Sequence, residues 1–135
     1  MNANAANILI YPELSYKITG VLFAVHNELG KYCSELQCAD KIEFYLKKNQ
    51  IRYEREKFLD ISFDGEKTHR NKIDFIVEDK IILEVKAKTI ITKEDYYQVR
   101  RYLKALNMKL GILVNFRDRY LRPKRVLNSE FKEKI

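Results

Sequence analysis

Two short apolar segments separated by three polar residues constrain the fold most, because together they predict an antiparallel pair of buried strands. Residues 73–77 form the first segment, residues 81–87 form the second, and residues 78–80 make the turn between them. Three ionisable side chains interrupt these runs: Asp74, Glu84 and Lys86. Burying an unpaired charge is costly, so three charges within two adjacent strands indicate a functional site.

The geometry of a hairpin brings these charges together. Side chains alternate along a strand, so Glu84 and Lys86 share a face, and a tight turn puts Asp74 nearly opposite Glu84, with Cβ atoms ~5 Å apart. Two such carboxylates can share one hard cation, and without a cation they repel until one takes up a proton. Lys86 can pair with them, hold a phosphate or orient a water. The spacing alone favours a simpler alternative, which is an ordinary cross-strand charge pair on a solvated face.

The remaining pattern predicts a single α/β layer structure with the order α-α-β-β-β-α-β(-β). Gly30 ends the first helix, Ser34-x-x-Gln37 is a capping box for the second, and Thr92 begins the third. Asp64-Gly65 predicts a hairpin after an alternating first strand. The predicted helices lie at about 14–29, 34–49 and 93–106, and the predicted strands at about 51–63, 69–77, 81–87, 110–114 and 125–127.

Composition predicts one ordered domain over residues 1–135, with residues 1–12 as a flexible N-terminal segment. No apolar run approaches the ~20 residues of a membrane span, and the first residues lack the basic region of a secretory signal. We therefore expect a cytoplasmic protein with no membrane partner. Cys33 and Cys38 have no second cysteine pair at zinc-ligand spacing, so we expect two ordinary reduced thiols.

The net charge of +7 arises entirely in residues 91–135, which contain 12 Lys+Arg and 5 Asp+Glu. One-sided basicity fits a polyanionic partner such as DNA or RNA. A solvated basic face explains the charge equally well.

Two further features accompany the charged strands. Gln98 and Tyr102 are spaced i, i+4 on the third helix and therefore lie on one side of it. Glu35 occupies the first turn of the second helix, where a carboxylate is favoured by the helix dipole. Taken singly, these residues also fit a surface amide and an ordinary surface carboxylate.

Asp74, Glu84-x-Lys86 and Gln98-x-x-x-Tyr102 in an αβββαβ order resemble the PD-(D/E)XK nuclease superfamily, including its RecB-like branch. The chain is more closely similar to the GxxExxY family of that superfamily, over roughly residues 15–128. The similar stretches are residues 25–30, 72–77, 82–87 and 98–116. At the naming motif the Gly and Tyr positions hold Tyr32 and Cys38, whereas Glu35 is kept, and Lys72 stands where the family commonly has Arg.

The resemblance implies a restriction-endonuclease-like fold, with a small mixed sheet flanked by helices, and metal-dependent hydrolysis of phosphodiester bonds in DNA or RNA. It implies that Mg²⁺ or Mn²⁺ is bound by Asp74, Glu84, the Val85 carbonyl and Glu35, the last directly or through water. It also implies that Lys86 positions the water, Gln98 orients substrate or lysine, and Tyr102 supports the helix face. The nucleic-acid contacts that we expect are Arg100, Arg101, Lys104 and Lys88.

Two other functions fit the same residues. The first is a non-catalytic module on this fold that binds nucleic acid or a protein partner, which the altered Tyr32 and Cys38 positions favour. The second is a metal-dependent enzyme for a small phosphorylated substrate. Because the sequence shows no separate DNA-reading domain, a homodimer or a partner protein could supply specificity in the first of these cases.

Overall fold

A computed structural model describes residues 10–133, and in it a five-stranded mixed sheet separates two helices from a third. The helices are α1 (Pro12–Leu29), α2 (Glu35–Lys48) and α3 (Lys93–Leu106), and the strands are β1 (Tyr53–Phe58), β2 (Lys72–Val77), β3 (Ile81–Lys86), β4 (Leu110–Asn115) and β5 (Lys124–Leu127). The spatial order is β1-β2-β3-β4-β5, with β3 and β4 parallel and the other neighbours antiparallel. The predicted α/β class and element order are confirmed.

The helix ends follow the predicted capping residues. Ser34 and Gln37 form the capping box of α2, since the Gln37 N–H donates to Ser34 Oγ at 3.1 Å and the Ser34 N–H donates to Gln37 Oε1 at 2.9 Å. The Thr92 N–H donates to Asp95 Oδ2 at 2.7 Å at the start of α3, and Asn107 ends that helix with a φ of 49°. None of the helices within residues 10–133 combines the length and hydropathy of a membrane span.

Each face of the sheet buries its own apolar core. Helices α1 and α2 cover one face, where residues such as Leu22 and Ile42 pack on Phe75 and Leu83. Helix α3 covers the other face, which carries a smaller cluster of eight buried residues that includes Val99. A glycine in β4 permits the close approach of α3, because a Cβ at that position would lie 2.5 Å from Val99 Cγ1.

The connection between β1 and β2, residues 59–71, corrects the predicted strand bounds. The first strand was predicted over 51–63 with a hairpin at Asp64-Gly65, but the sheet ladder ends earlier. A turn does form there, with Gly65 at a φ of 96°. The Glu66 carboxylate accepts from the Asn71 side-chain amide at 3.1 Å and from a backbone N–H in the loop at 2.7 Å. A side chain, and not a paired strand, therefore holds this part of the chain.

The N-terminal end of the described chain is joined to the last strand. The predicted flexible segment 1–12 lies mostly outside the described residues; of its last three residues, Ile10 and Tyr11 pack against the core and Pro12 begins α1. The Arg125 guanidinium on β5 donates to the Ser15 hydroxyl and to the Ile10 carbonyl. This basic side chain therefore serves the fold.

Both cysteines are free. Cys38 is fully buried on α2, and burial raises the pKa of its thiol to about 11. A thiol with a raised pKa is a poor nucleophile and a poor metal ligand at neutral pH, so Cys38 acts as a small core residue.

Candidate metal and nucleic-acid site

The β2–β3 ladder opens at the two predicted carboxylates. Backbone pairing runs from Val77–Ile81 to Phe75–Leu83, and the same register puts Asp74 opposite Glu84. At that pair, backbone N–H groups bond to side-chain carboxylates in place of the carbonyls of the opposite strand. The Asp74 N–H donates to Glu84 Oε1 at 3.0 Å, and the Val85 N–H donates to Asp74 Oδ2 at 2.8 Å. Each carboxylate is thus held by the backbone of the opposite strand.

Glu84 is buried beside a second carboxylate, as expected of a residue that binds a cation. The residue is 2% exposed on the α3 face of the sheet. Burial, followed by the charge of Asp74, raises the pKa of Glu84 to about 9, against the opposing effects of Lys86 and the Asp74 N–H. In the absence of a cation, Glu84 therefore holds a proton near neutral pH. A divalent cation placed between the two carboxylates would stabilise the ionised form of Glu84 and so favour release of its proton.

The predicted lysine and helix residues meet on one side of this pair. Lys86 Nζ donates to Gln98 Oε1 at 2.9 Å, which joins the end of β3 to α3. Tyr102 is one helical turn further along and only 1% exposed. Burial raises the pKa of its hydroxyl, and the charge of Glu84 acts in the same direction. The i, i+4 pair on α3 therefore faces the carboxylates, as its spacing predicts.

Glu35 lies at the rim of the site. Its Oε1 accepts from the Ala87 N–H at 3.3 Å, just beyond the end of β3. Glu35, Asp74 and Val85 line a small cavity of about 50 Å³. Among the described residues, no three His, Cys, Asp or Glu side chains are arranged to hold one ion together. The first donor set therefore consists of the carboxylates of Asp74 and Glu84.

This donor set fits Mg²⁺. The ion keeps several waters and is usually bound through one or two carboxylates together with substrate phosphate oxygens. Asp74 and Glu84 supply the two carboxylates, and the open cavity beside Asp74 leaves room for water. The predicted metal ligand Val85 contributes its N–H to Asp74 and lines the same cavity.

Two basic residues that the sequence analysis did not assign to the site also line this cavity. They are Arg55 on β1 and Lys72, two residues before Asp74 on β2. Arg55 Nη1 binds Asp40 Oδ1 at 2.8 Å and Glu43 Oε1 at 3.2 Å, and so ties β1 to α2. The alternation along β1 places Arg55 on the half-buried face, but its proximity to the site depends on the sheet order.

The predicted nucleic-acid contacts fall into two groups. Three of them are exposed on α3: Arg100, Arg101 and Lys104. Lys88, beyond the end of β3, is held within the fold, since its Nζ pairs with Asp95 Oδ2 at 2.9 Å. The buried Asn115 side chain brackets its backbone, accepting from the Lys88 N–H at 3.0 Å and donating to the Lys88 carbonyl at 2.8 Å. Asn115 was not predicted as a site residue, and its place follows from its register opposite Lys86.

The chain belongs to the PD-(D/E)XK nuclease superfamily, whose family model matches residues 12–126. Nucleases of this superfamily typically use divalent metals. Among solved structures, the chain is similar to one described as "Crystal structure of SSO0001", with a TM-score of 0.52 and 22% identity. That match covers 67% of this chain and 48% of the other, so this chain spans about half its length. The likeness supports the fold alone. None of the curated proteins matches the chain.

Proposed function

We propose that this protein is a cytoplasmic, metal-dependent nuclease of the GxxExxY type that hydrolyses phosphodiester bonds in DNA or RNA. The observation that carries the proposal is the pair of the half-buried Asp74 and the buried Glu84 beside Lys86, at the point where the β2–β3 ladder opens. Two neighbouring carboxylates of which one is buried are costly without a cation, so the pair favours a site that binds a cation or a reacting phosphate.

The proposed metal is Mg²⁺ or Mn²⁺, with Asp74, Glu84 and the Val85 carbonyl as ligands and Glu35 reaching the ion directly or through water. When bound, such an ion lowers the pKa of a coordinated water and stabilises charge on the phosphoryl oxygens. Glu84 would bind in its ionised form, so occupancy is coupled to release of its proton.

The proposed roles of the other residues follow from their contacts. Gln98 accepts from Lys86 Nζ at 2.9 Å and so orients the ammonium group without neutralising it. From there Lys86 positions the attacking water and stabilises negative charge on the phosphoryl group. Tyr102, buried in the core under α3, supports that part of the helix. The exposed basic residues of α3 contact the nucleic-acid backbone, and Lys88 adds to them through the part of its side chain that stays exposed beside Asp95.

A second candidate function is a non-catalytic module that binds nucleic acid or a protein partner on the same fold. The observation that favours it lies at the altered motif positions. Tyr32 is 82% exposed, whereas Cys38 is fully buried and cannot present a polar group to the site. In this case a second copy of the chain or a partner protein supplies the specificity for the nucleic acid.

Metal-dependent cleavage separates the two candidates. Wild type, Glu84→Gln and the surface control Glu54→Gln would be incubated with labelled single- and double-stranded DNA and RNA, in Mg²⁺, in Mn²⁺ and in EDTA. The nuclease proposal predicts cleavage by wild type and Glu54→Gln that requires metal and is lost in Glu84→Gln. Cleavage that survives in Glu84→Gln would contradict the proposed site. Tight binding without cleavage by wild type would favour the second candidate.

A further inference from the structure

A second cavity, of about 210 Å³, lies on the other flank of α3 from the carboxylate pair. Tyr96 lines it, and at 3.6 residues per turn Tyr96 is roughly 200° around the helix from Gln98. Leu113 and Asn115 form its floor on β4. These two residues pair in register with Glu84 and Lys86 on β3, and adjacent strands are ~4.8 Å apart. The cavity therefore begins one strand away from the proposed metal site.

The lining combines an apolar slot with a charged mouth. Ile91 and Tyr96 supply apolar walls, and both pack against the core under α3. Arg122 and Lys124 stand at the exposed side of the cavity, and within residues 10–133 neither has an ion-pair partner. Asp118 also lines it, and its Oδ1 accepts from Asn115 Nδ2 at 3.4 Å. A carboxylate has about four acceptor sites, so Asp118 can accept further hydrogen bonds.

The wall of this slot is held rigid by the beginning of α3. Asp95 accepts from the Thr92 N–H at 2.7 Å and from Lys88 Nζ at 2.9 Å, so the first turn carrying Tyr96 is tied to the end of β3. A ring that is fixed in this way loses little conformational freedom on binding, which favours stacking.

We propose that this cavity binds one unpaired base of a single-stranded DNA or RNA whose backbone crosses the metal site. Tyr96 stacks on the base, Arg122 and Lys124 hold the adjoining phosphates, and Asp118 accepts from an amino group on the base edge. Its volume is below the ~300–1,000 Å³ of pockets for drug-sized ligands, so it suits a single ring system and excludes a base pair. The inference rests on the proposed function and adds to it a preference for unpaired strands.

Binding measured in EDTA tests this subsite independently of cleavage. Fluorescence anisotropy would compare labelled single strands with the matching duplex for wild type, Tyr96→Ala, Tyr96→Leu and the control Tyr97→Ala. Tyr97 is 55% exposed on the same helix and does not line the cavity. Tyr96→Ala and Tyr96→Leu should weaken single-strand binding roughly 5- to 150-fold. Duplex binding, and all binding by Tyr97→Ala, should stay within about twofold.

An abasic scan identifies the base itself. Removing one base at a single position of the strand should weaken wild-type binding as much as Tyr96→Leu does, and should have no further effect in Tyr96→Leu. Thermal unfolding shows whether each variant is folded. Three results would overturn the subsite. Tyr96→Leu and Tyr97→Ala could lose the same binding affinity, or the Tyr96 variants could lose as much affinity for the duplex as for the single strand. The third is an abasic scan whose effects add to that of Tyr96→Leu.

The two proposals can fail separately. Absence of metal-dependent cleavage together with a non-additive Tyr96 scan would overturn the nuclease and keep the base-binding cavity. Cleavage that requires Glu84 but ignores Tyr96 would overturn the cavity and keep the nuclease.

Discussion

The substitution Glu84→Gln should remove a large pH dependence of stability from the metal-free protein. The folded state raises the pKa of Glu84 from its ordinary 4.5 to about 9, first through burial and then through the charge of Asp74. Between these values the folded state binds one proton more than the unfolded chain. Stability contributed by this group is therefore fully present below about pH 4.5 and is lost as the pH rises toward 9, by about 1.4 kcal/mol per pH unit.

From these two pKa values, about 3 kcal/mol has been lost by neutral pH, on the order of a third of the stability of a small domain. A glutamine has the shape of the protonated acid, its oxygen can accept from the Asp74 N–H, and it does not ionise. Glu84→Gln should therefore match wild type near pH 5 and exceed it progressively above that pH. Urea denaturation in EDTA across this range measures the difference.

Glu54→Gln is the matched control, because Glu54 is half-exposed and its ion pair with Lys57 lies at the surface. Its stability should differ from wild type by less than about 1 kcal/mol at every pH. Added Mg²⁺ should stabilise wild type increasingly as the pH rises and should leave Glu84→Gln unchanged. A difference between Glu84→Gln and wild type that is constant with pH would refute the burial argument and, with it, the proton held by Glu84.

Three further substitutions test the packing around the site. Gly111→Ala should destabilise the fold by about 1–3 kcal/mol, because the new Cβ meets Val99 Cγ1 at 2.5 Å. The control Gly20→Ala on α1 meets nothing within 4 Å and should be neutral or stabilising by up to about 1 kcal/mol. Thermal unfolding compares the two variants. Arg55→Ala should cost about 1 kcal/mol by urea denaturation, since it removes the ion pairs to Asp40 and Glu43 on α2, although Asp40 is solvent-exposed and Glu43 keeps its bond from the Tyr53 hydroxyl. A Lys replacement should restore only part of this. Asp95→Asn should cost about 1 kcal/mol at neutral pH. Burial favours a higher pKa for Asp95, but the hydrogen bonds at the start of α3 lower the pKa below its ordinary 3.8. The stability that Asp95 contributes is therefore present above pH 3.8 and lost in acid, so the cost of the substitution should shrink in acid.

The parts of the structure that were predictable are those with local causes. The ends of α2 and α3 follow from capping residues that bond within four positions of themselves. The pairing of Asp74 with Glu84 follows from a three-residue turn, which leaves one register compatible with two apolar strands. The side of α3 that faces the site follows from the i, i+4 spacing of Gln98 and Tyr102.

The parts that were not predictable depend on longer-range choices. The loop after β1 is organised by Glu66, whose carboxylate accepts from the Ser62 N–H, which a longer ladder could use, and from the Asn71 side-chain amide. Arg55 and Asn115 reach the site because β1 lies beside β2 and β4 runs parallel to β3, and strand periodicity carries no information about neighbours. Arg125 belongs to the basic C-terminal segment, yet its guanidinium donates to Ser15 and Ile10 and so stabilises the fold.

The position of a bound divalent ion decides whether Asp74 and Glu84 form the metal site. A crystal grown with Mn²⁺ and measured for anomalous scattering should show a peak between the carboxylates of Asp74 and Glu84, with ion–oxygen distances of about 2.0–2.2 Å. A Glu84→Gln crystal treated in the same way should lack the peak. An empty Asp74–Glu84 pair in the wild-type crystal, or a peak only at other acidic groups, would contradict the assignment of this site as the metal centre of a nuclease.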